Sequence, residues 1–284
     1  MATSALSDYW RRPLRRLQGT VLRGVYHAFV VLMYFFVLCP LLFILWLSFF
    51  KNAILTFPPS GYTLGWYVKA LSDDSFVSGF VTSFQVALLA ALCGVALGIL
   101  AALGLIRHRF RGSDVVNNLL LSPLLVPAIV AGVSIYLAYL WLENILNLDI
   151  VGTYGGLVIA HICLTIPWTV RLVSANMLGL DPLVEEAARN LGASDRTVLF
   201  RITLPMLRPA IVAASLFSFI VSFENLEMSL FLVGPGHTTL PIAILQYLEF
   251  NLDPTIAAVS SVQIVLLGAV MLLSDRFVKL SRVV

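Results

Sequence analysis

Charge is scarce in this chain. Only 12% of its 284 residues are Asp, Glu, Lys or Arg, against 60% hydrophobic, and the mean hydropathy is +0.95. Soluble domains carry about a quarter charged residues. Half that amount cannot cover a surface facing water, so most of this surface must face lipid. Cysteine is scarcer still. Cys39, Cys93 and Cys163 fall inside apolar runs with no CxxC or metal-ligand spacing, which leaves them the role of packing residues. No GxxxxGKS/T phosphate loop occurs, so any ATP is bound by another polypeptide, and no HExxH or GxSxG constellation is present either. An internal repeat is also missing, which weakens the case for a duplicated secondary carrier.

What is present is length without charge. A bilayer core about 30 Å thick needs roughly 20 apolar residues in a helix. Five uninterrupted runs meet that need: Val25–Phe50, Phe80–Ile106, Val115–Leu142, Val151–Val170 and Ile256–Ser274. A sixth, Pro209–Val233, is apolar except for Glu224 and Glu227. The first run is too long, and too poorly followed by small residues, for a cleaved signal peptide, so it reads as a retained helix. The expected fold is therefore an all-α membrane protein of six spans, with a segment 1–24 ahead of a membrane domain 25–284.

The basic residues orient these spans. Arg11, Arg12, Arg15, Arg16 and Arg23 precede the first, and Arg107, Arg109 and Arg111 follow the second. Arg171, Arg189, Arg196, Arg201 and Arg208 follow the fourth, and Arg276, Lys279 and Arg282 follow the sixth. The opposite side holds only Lys51 and Lys69. That alternation is a strong positive-inside signal with both termini in the cytoplasm, and it points to charge-guided topology rather than nucleic-acid binding.

Local packing is legible in part. Ala90, Gly94, Gly98 and Ala102 form a ridge of small residues that lets backbones approach closely. Pro123, Pro127 and Pro167 imply kinks or broken turns within the third and fourth spans. A lone His161 in the fourth span reads as a hydrogen-bonding partner between helices. Tyr62–Ala70 and Leu240–Phe250 can each form a short helix on the external side.

The fourth connection, 181–208, is the most informative stretch. Asp181 is a good N-cap, Pro182 a good first helical residue, and Glu185 and Glu186 sit where the helix dipole favours anions. Gly192 can supply a left-handed C-terminal turn, after which Ser194 caps a second short helix expected to stop at Pro205. Two short helices would then meet at a glycine corner and project from the membrane.

Glu186-Ala187-Ala188, Gly192 and Ile202-x-Leu204-Pro205 match the EAA signature at every marked position. On those residues the chain resembles the permeases of binding-protein-dependent ABC importers of type I. Residues 57–67, Ser222-Phe223-Glu224-Asn225 and Thr239-Leu240-Pro241 look like the spermidine/putrescine subgroup. The resemblance implies a coupling helix between the fourth and fifth spans that docks on an ATPase subunit. The coupling residues would be Glu185, Glu186, Ala187, Ala188, Arg189, Gly192, Ala193, Leu204 and Pro205. It also implies a bacterial inner membrane, a second homologous permease, two ATPase subunits that bind ATP and Mg, an external solute-binding protein, and no catalysis or cofactor in this chain. The cargo implied is a polyamine; an opine, amino-acid derivative, phosphonate or iron chelate remains open, as does a solitary secondary carrier.

Charged residues inside a span are costly and mark pathways. Glu224 and Glu227, three apart, are expected on one helix face in the outer half of the membrane, where they could attract ammonium groups. Asn225 and Gln85 complete the expected pathway.

Overall fold

The computed structural model of the chain describes residues 3–54, 56–107 and 110–278, with side chains described between 22 and 274. Arg109, Lys279 and Arg282 lie outside the described residues, as do the side chains of Arg11, Arg12, Arg15, Arg16 and Arg276. Among the described residues every extended element is helical, and the one β-bridge joins Phe50 to Tyr62.

In chain order the helices are α1 (Thr3–Leu47), α2 (Gly65–Ser72), α3 (Asp74–Arg107), α4 (Ser113–Leu121), α5 (Ala128–Leu146), α6 (Tyr154–Leu178) and α7 (Pro182–Asn190). Then come α8 (Asp195–Val198), α9 (Leu204–Phe223), α10 (Ser229–Leu232), α11 (Leu240–Phe250) and α12 (Thr255–Val278). Among the described residues, six segments are long and apolar enough to cross a membrane: 22–47, 74–107, 128–146, 154–178, 195–223 and 255–274. α3, α6 and α9 pack most extensively on one another and form the centre of the bundle. α1 runs alongside α12, and over 22–43 its apolar side chains are almost all exposed, as suits a helix bathed in lipid.

The small-residue ridge sets the distance between α3 and α6. Ala90, Gly94, Gly98 and Ala102 are all buried. A Cβ on Gly94 would overlap Thr165, and one on Gly98 would lie 2.5 Å from Thr169 Cβ. The threonines use this proximity: the Thr165 hydroxyl donates to the Ala90 carbonyl at 3.0 Å, and Thr169 Oγ1 lies 3.3 Å from Ser218 Oγ on α9. Inserting a methyl group into such a contact costs about 1–3 kcal/mol. Gly98→Ala should therefore lower the thermal midpoint of the purified protein in detergent by several degrees. An unchanged midpoint would show that the helices are not held this closely.

Two expected spans are corrected. The third run, 115–142, is not one helix: α4 ends at Leu121, a 3-10 turn covers Ser122–Leu125, and the membrane-length helix begins only at Ala128. Pro127 forces Val126 into an extended conformation (ψ 132°), which breaks the helix there. The run 209–233 is likewise divided. α9 ends at Phe223, because the Asn225 side chain accepts from the Met228 and Ser229 amides (3.2 Å each) and starts α10 instead.

Two further expectations change. The second short helix does not stop at Pro205. It passes through a π-helical turn, Leu199–Thr203, directly into α9. That wider turn, in which the Leu204 amide bonds to the Leu199 carbonyl, absorbs the amide donor that Pro205 lacks. The three cysteines are free and exposed rather than packed in the core. Cys163 lines a cleft beside α6 rather than the packed interior.

Candidate functional site

The elbow between α6 and α9 is built as its sequence dictates. Asp181 caps α7 by accepting from the Leu183 amide at 2.9 Å, and Pro182 occupies the first turn. At the other end Gly192 takes φ +88°, a conformation glycine adopts without steric cost. The Gly192 amide then bonds to the Arg189 carbonyl (2.9 Å) and the Ala193 amide to the Ala188 carbonyl (3.0 Å), which closes the helix in a Schellman turn. Ser194 caps α8 through the Thr197 amide at 3.3 Å. Arg189 braces the corner by bonding Asp195 at 3.1 Å and lying 3.6 Å from Glu185.

This elbow presents apolar side chains outward. Leu183 is 64% exposed, Leu191 90% and Phe200 65%, with Val184 and Ala187 exposed beside them. Glu186 is also exposed, Ala188 and Ala193 are half-buried, and Leu204 and Pro205 begin α9. The elbow lies at the end of the bundle that carries the arginine-rich connections.

Glu185 does something its spacing did not announce. Its side chain, 18% exposed, pairs with Arg107 at the end of α3. The Thr203 hydroxyl donates to the same carboxylate at 2.7 Å, and Arg107 donates to Thr203 Oγ1 at 2.6 Å. One carboxylate thus ties α7 to the ends of both α3 and α9. Arg107 and Thr203 escaped notice in the sequence because they lie 78 and 18 residues from Glu185.

The expected pathway residues separate. Glu224 and Glu227 do not share a helix face, since α9 ends at Phe223 and both stand in the irregular link before α10. Glu224 accepts from Gln263 of α12 at 3.3 Å, and Glu227 is exposed. Asn225 is buried and holds the start of α10. Gln85 is exposed on α3 among Phe84, Leu88 and Leu89, remote from those contacts in the chain. His161 is buried between Ser222 (2.7 Å) and Ser229 (3.1 Å), bridging α6 to the end of α9 and the start of α10. Glu143, which no span had included, receives the Ile150 and Val151 amides at 2.6 Å each and closes the turn into α6.

The broken turns meet in one place. A cleft of about 550 Å³ is lined by Ser122, Pro123 and Val126 of the interrupted third span, Pro167 and Trp168 of α6, and Asn225. Irregular backbone at membrane depth is tolerated where it is covered by protein or lines a wet cavity, and this cleft supplies such a place.

Six membrane-length helices and an apolar elbow tied by one carboxylate to two of them define the permease subunit of an ABC importer. The chain belongs to the family of binding-protein-dependent transport system inner membrane components, whose sequence model matches residues 94–281. It is accordingly a multi-pass protein of the inner membrane. It is 32% identical over 252 residues to the putrescine transport system permease protein PotI of Escherichia coli K12, covering 88% of each chain. Against the spermidine/putrescine transport system permease protein PotC of Haemophilus influenzae the identity is 29% over 249 residues, covering 88% of this chain and 94% of that one. Among solved structures, a bacterial ABC transporter that imports the acidic polysaccharide alginate superposes with a TM-score of 0.67 at 18% identity, covering 90% of this chain and 96% of that one. The MetNI methionine ABC transporter superposes with a TM-score of 0.59 at 19% identity, covering 74% and 96%. These two likenesses concern the fold.

Proposed function

We propose that this chain forms half of the membrane pathway of an ATP-driven polyamine importer. It would pair with a second, homologous permease, with two ATPase subunits at its basic end and a solute-binding protein at the other, the basic end lying in the cytoplasm. The observation that carries this reading is the elbow: an apolar face exposed to 64–90% at Leu183 and Leu191, on a helix fastened through Glu185 to α3 and α9. An exposed apolar face of this kind on a rigid mount is a docking surface.

The mechanism follows from that mount. This chain does no chemistry; the partner ATPase would bind ATP and Mg and supply the hydrolysis. Closure of the ATPase dimer pushes α7, and the Glu185–Arg107–Thr203 contacts pass the displacement to the basic ends of α3 and α9. Those helices frame the bundle centre, so their movement opens the cleft between the broken third span and α6. Glu224, in the link beyond α9, offers a carboxylate to a passing ammonium group, and Gln85, exposed on α3, is a second polar group for the pathway.

Polyamine cargo is favoured by the similarity to putrescine and spermidine permeases over 88% of the chain. The test is ATP-dependent uptake of labelled putrescine into proteoliposomes holding the assembled importer and its binding protein, with an opine, an amino-acid derivative, a phosphonate and an iron chelate as competitors. Uptake should be inhibited by unlabelled putrescine or spermidine alone, and Glu224→Gln should reduce it about tenfold, as loss of one charge-assisted contact implies. Inhibition by one of the other solutes instead would reassign the cargo. Uptake without any ATPase subunit would point to a solitary carrier.

A further inference from the structure

Far from the elbow, at the opposite end of the bundle, the chain holds one of its own ammonium groups in an unusual setting. Lys69 of α2 reaches across to the α11–α12 turn, where its Nζ lies 2.6 Å from Asp253 Oδ2. The same Nζ sits 5.6 Å from the ring centroids of both Trp66 and Tyr247. Two aromatic faces and a carboxylate around one cation are the elements from which alkylammonium sites are made.

A simple ion pair does not account for the arrangement. Exposed pairs contribute little and require no rings. Here each wall of the cage is fixed by contacts that do not involve Lys69. The Trp66 indole N–H donates to the Phe50 carbonyl at 2.7 Å. The Tyr247 ring packs on Phe76 at 5.0 Å between centroids, and its hydroxyl donates to Asp253 at 2.9 Å. Asp253 accepts the Thr255 amide at 3.0 Å through its other oxygen. The cage would stand without its occupant. The occupant is the looser part: the Lys69 side chain is 47% exposed, the Asp253 side chain 15%. The contacts also favour the charged forms. Hydrogen bonding to Asp253 and Tyr247 raises the Lys69 pKa. For Asp253, burial acts upward, but bonds from Lys69, Thr255 and Tyr247 outweigh it and hold the carboxyl below its ordinary value.

Beside the cage an apolar groove of about 300 Å³ runs from Ala70 of α2 to Gln263 of α12. Gln263 is the residue that donates to Glu224. The cage and the Glu224 carboxylate thus stand at the two ends of one groove, whose apolar walls suit the methylene chain between two ammonium groups rather than a charge.

We propose that Trp66, Tyr247 and Asp253 form a binding site for a primary alkylammonium ion, filled at rest by Lys69, and that a terminal ammonium of the cargo displaces Lys69 on entry. The second half rests on the polyamine reading; the first does not. The test uses the assembled importer carrying Lys69→Ala, titrated with n-butylammonium chloride against sodium chloride of equal ionic strength. Binding to the vacated cage should raise the thermal midpoint by about 2–4 °C near saturation, since a ligand that binds only the folded state stabilises it. Lys69→Ala combined with Asp253→Asn should show no such rise. Lys69→Gln, which keeps the side-chain length, serves if the alanine variant does not assemble. Equal shifts in the single and double variants, or none in either, would overturn the site. If n-butylammonium fills the cage but the importer takes up no putrescine, the site stands and the displacement by cargo falls. If putrescine is transported and Asp253→Asn leaves its KM unchanged, displacement falls as well; a KM raised about tenfold, for one charge-assisted contact, supports it.

Discussion

Leu183→Asp together with Leu191→Asp should reduce ATP-driven uptake by the assembled importer at least about a hundredfold. Burying a leucine side chain contributes roughly 1.5–3 kcal/mol, so two lost from one interface remove about 3–6 kcal/mol of docking free energy. Replacing them with carboxylates adds the cost of desolvating unpaired charge, which is several kcal/mol in an apolar setting. Neither side chain supports the fold of this chain, since Leu183 is 64% and Leu191 90% exposed. The variant should therefore insert normally and keep its thermal midpoint, while the ATPase no longer co-purifies with it. Two measurements decide the matter, uptake into proteoliposomes and recovery of the ATPase through a tag on the permease. Near-normal recovery and uptake would mean that the elbow is not the docking surface.

The corner of that elbow was readable from sequence because everything that shapes it is local. Asp181 and Ser194 cap helices a few residues away, and Gly192 is needed by its own turn. The six spans were readable for a related reason: a long uncharged run has few alternatives to a membrane helix. The α11 helix also fell where its periodicity put it, at Leu240–Phe250.

What escaped the sequence was decided by competition or by distance. Nothing in the run 209–233 shows that the Asn225 side chain will take the Met228 and Ser229 amides and end α9 two residues earlier. The pairing of Glu224 with Glu227 on one face failed for that reason. Pro205 reads as a helix stop unless a wide π turn precedes it, and that turn depends on the tertiary position of Thr203. Lys69 and Asp253 stand 184 residues apart, so their cage exists only once α2 and the α11–α12 turn have met.

The Glu185 tether makes a different prediction from the docking face, because it acts inside the chain. Glu185→Ala should leave the ATPase bound and hydrolysing at close to its normal rate, yet reduce uptake about tenfold or more. The variant removes the partner of Arg107, whose side chain is only 23% exposed, and the acceptor of the Thr203 hydroxyl. Hydrogen bonds to a charged group contribute about 1.5–3 kcal/mol, enough to loosen α7 from α3 and α9 while its apolar face stays docked. Pushing on a loosened helix moves the helix alone. The double variant Arg107→Leu with Glu185→Leu is the sharper test. Replacing a half-buried ion pair by packed apolar side chains is often close to neutral, so part of the lost uptake should return. A double-mutant cycle built from the two single variants and the pair isolates the contact from their separate effects. Additive losses would show that Arg107 and Glu185 act independently, and transmission would then have to run through the chain connecting α7 to α6 and α9.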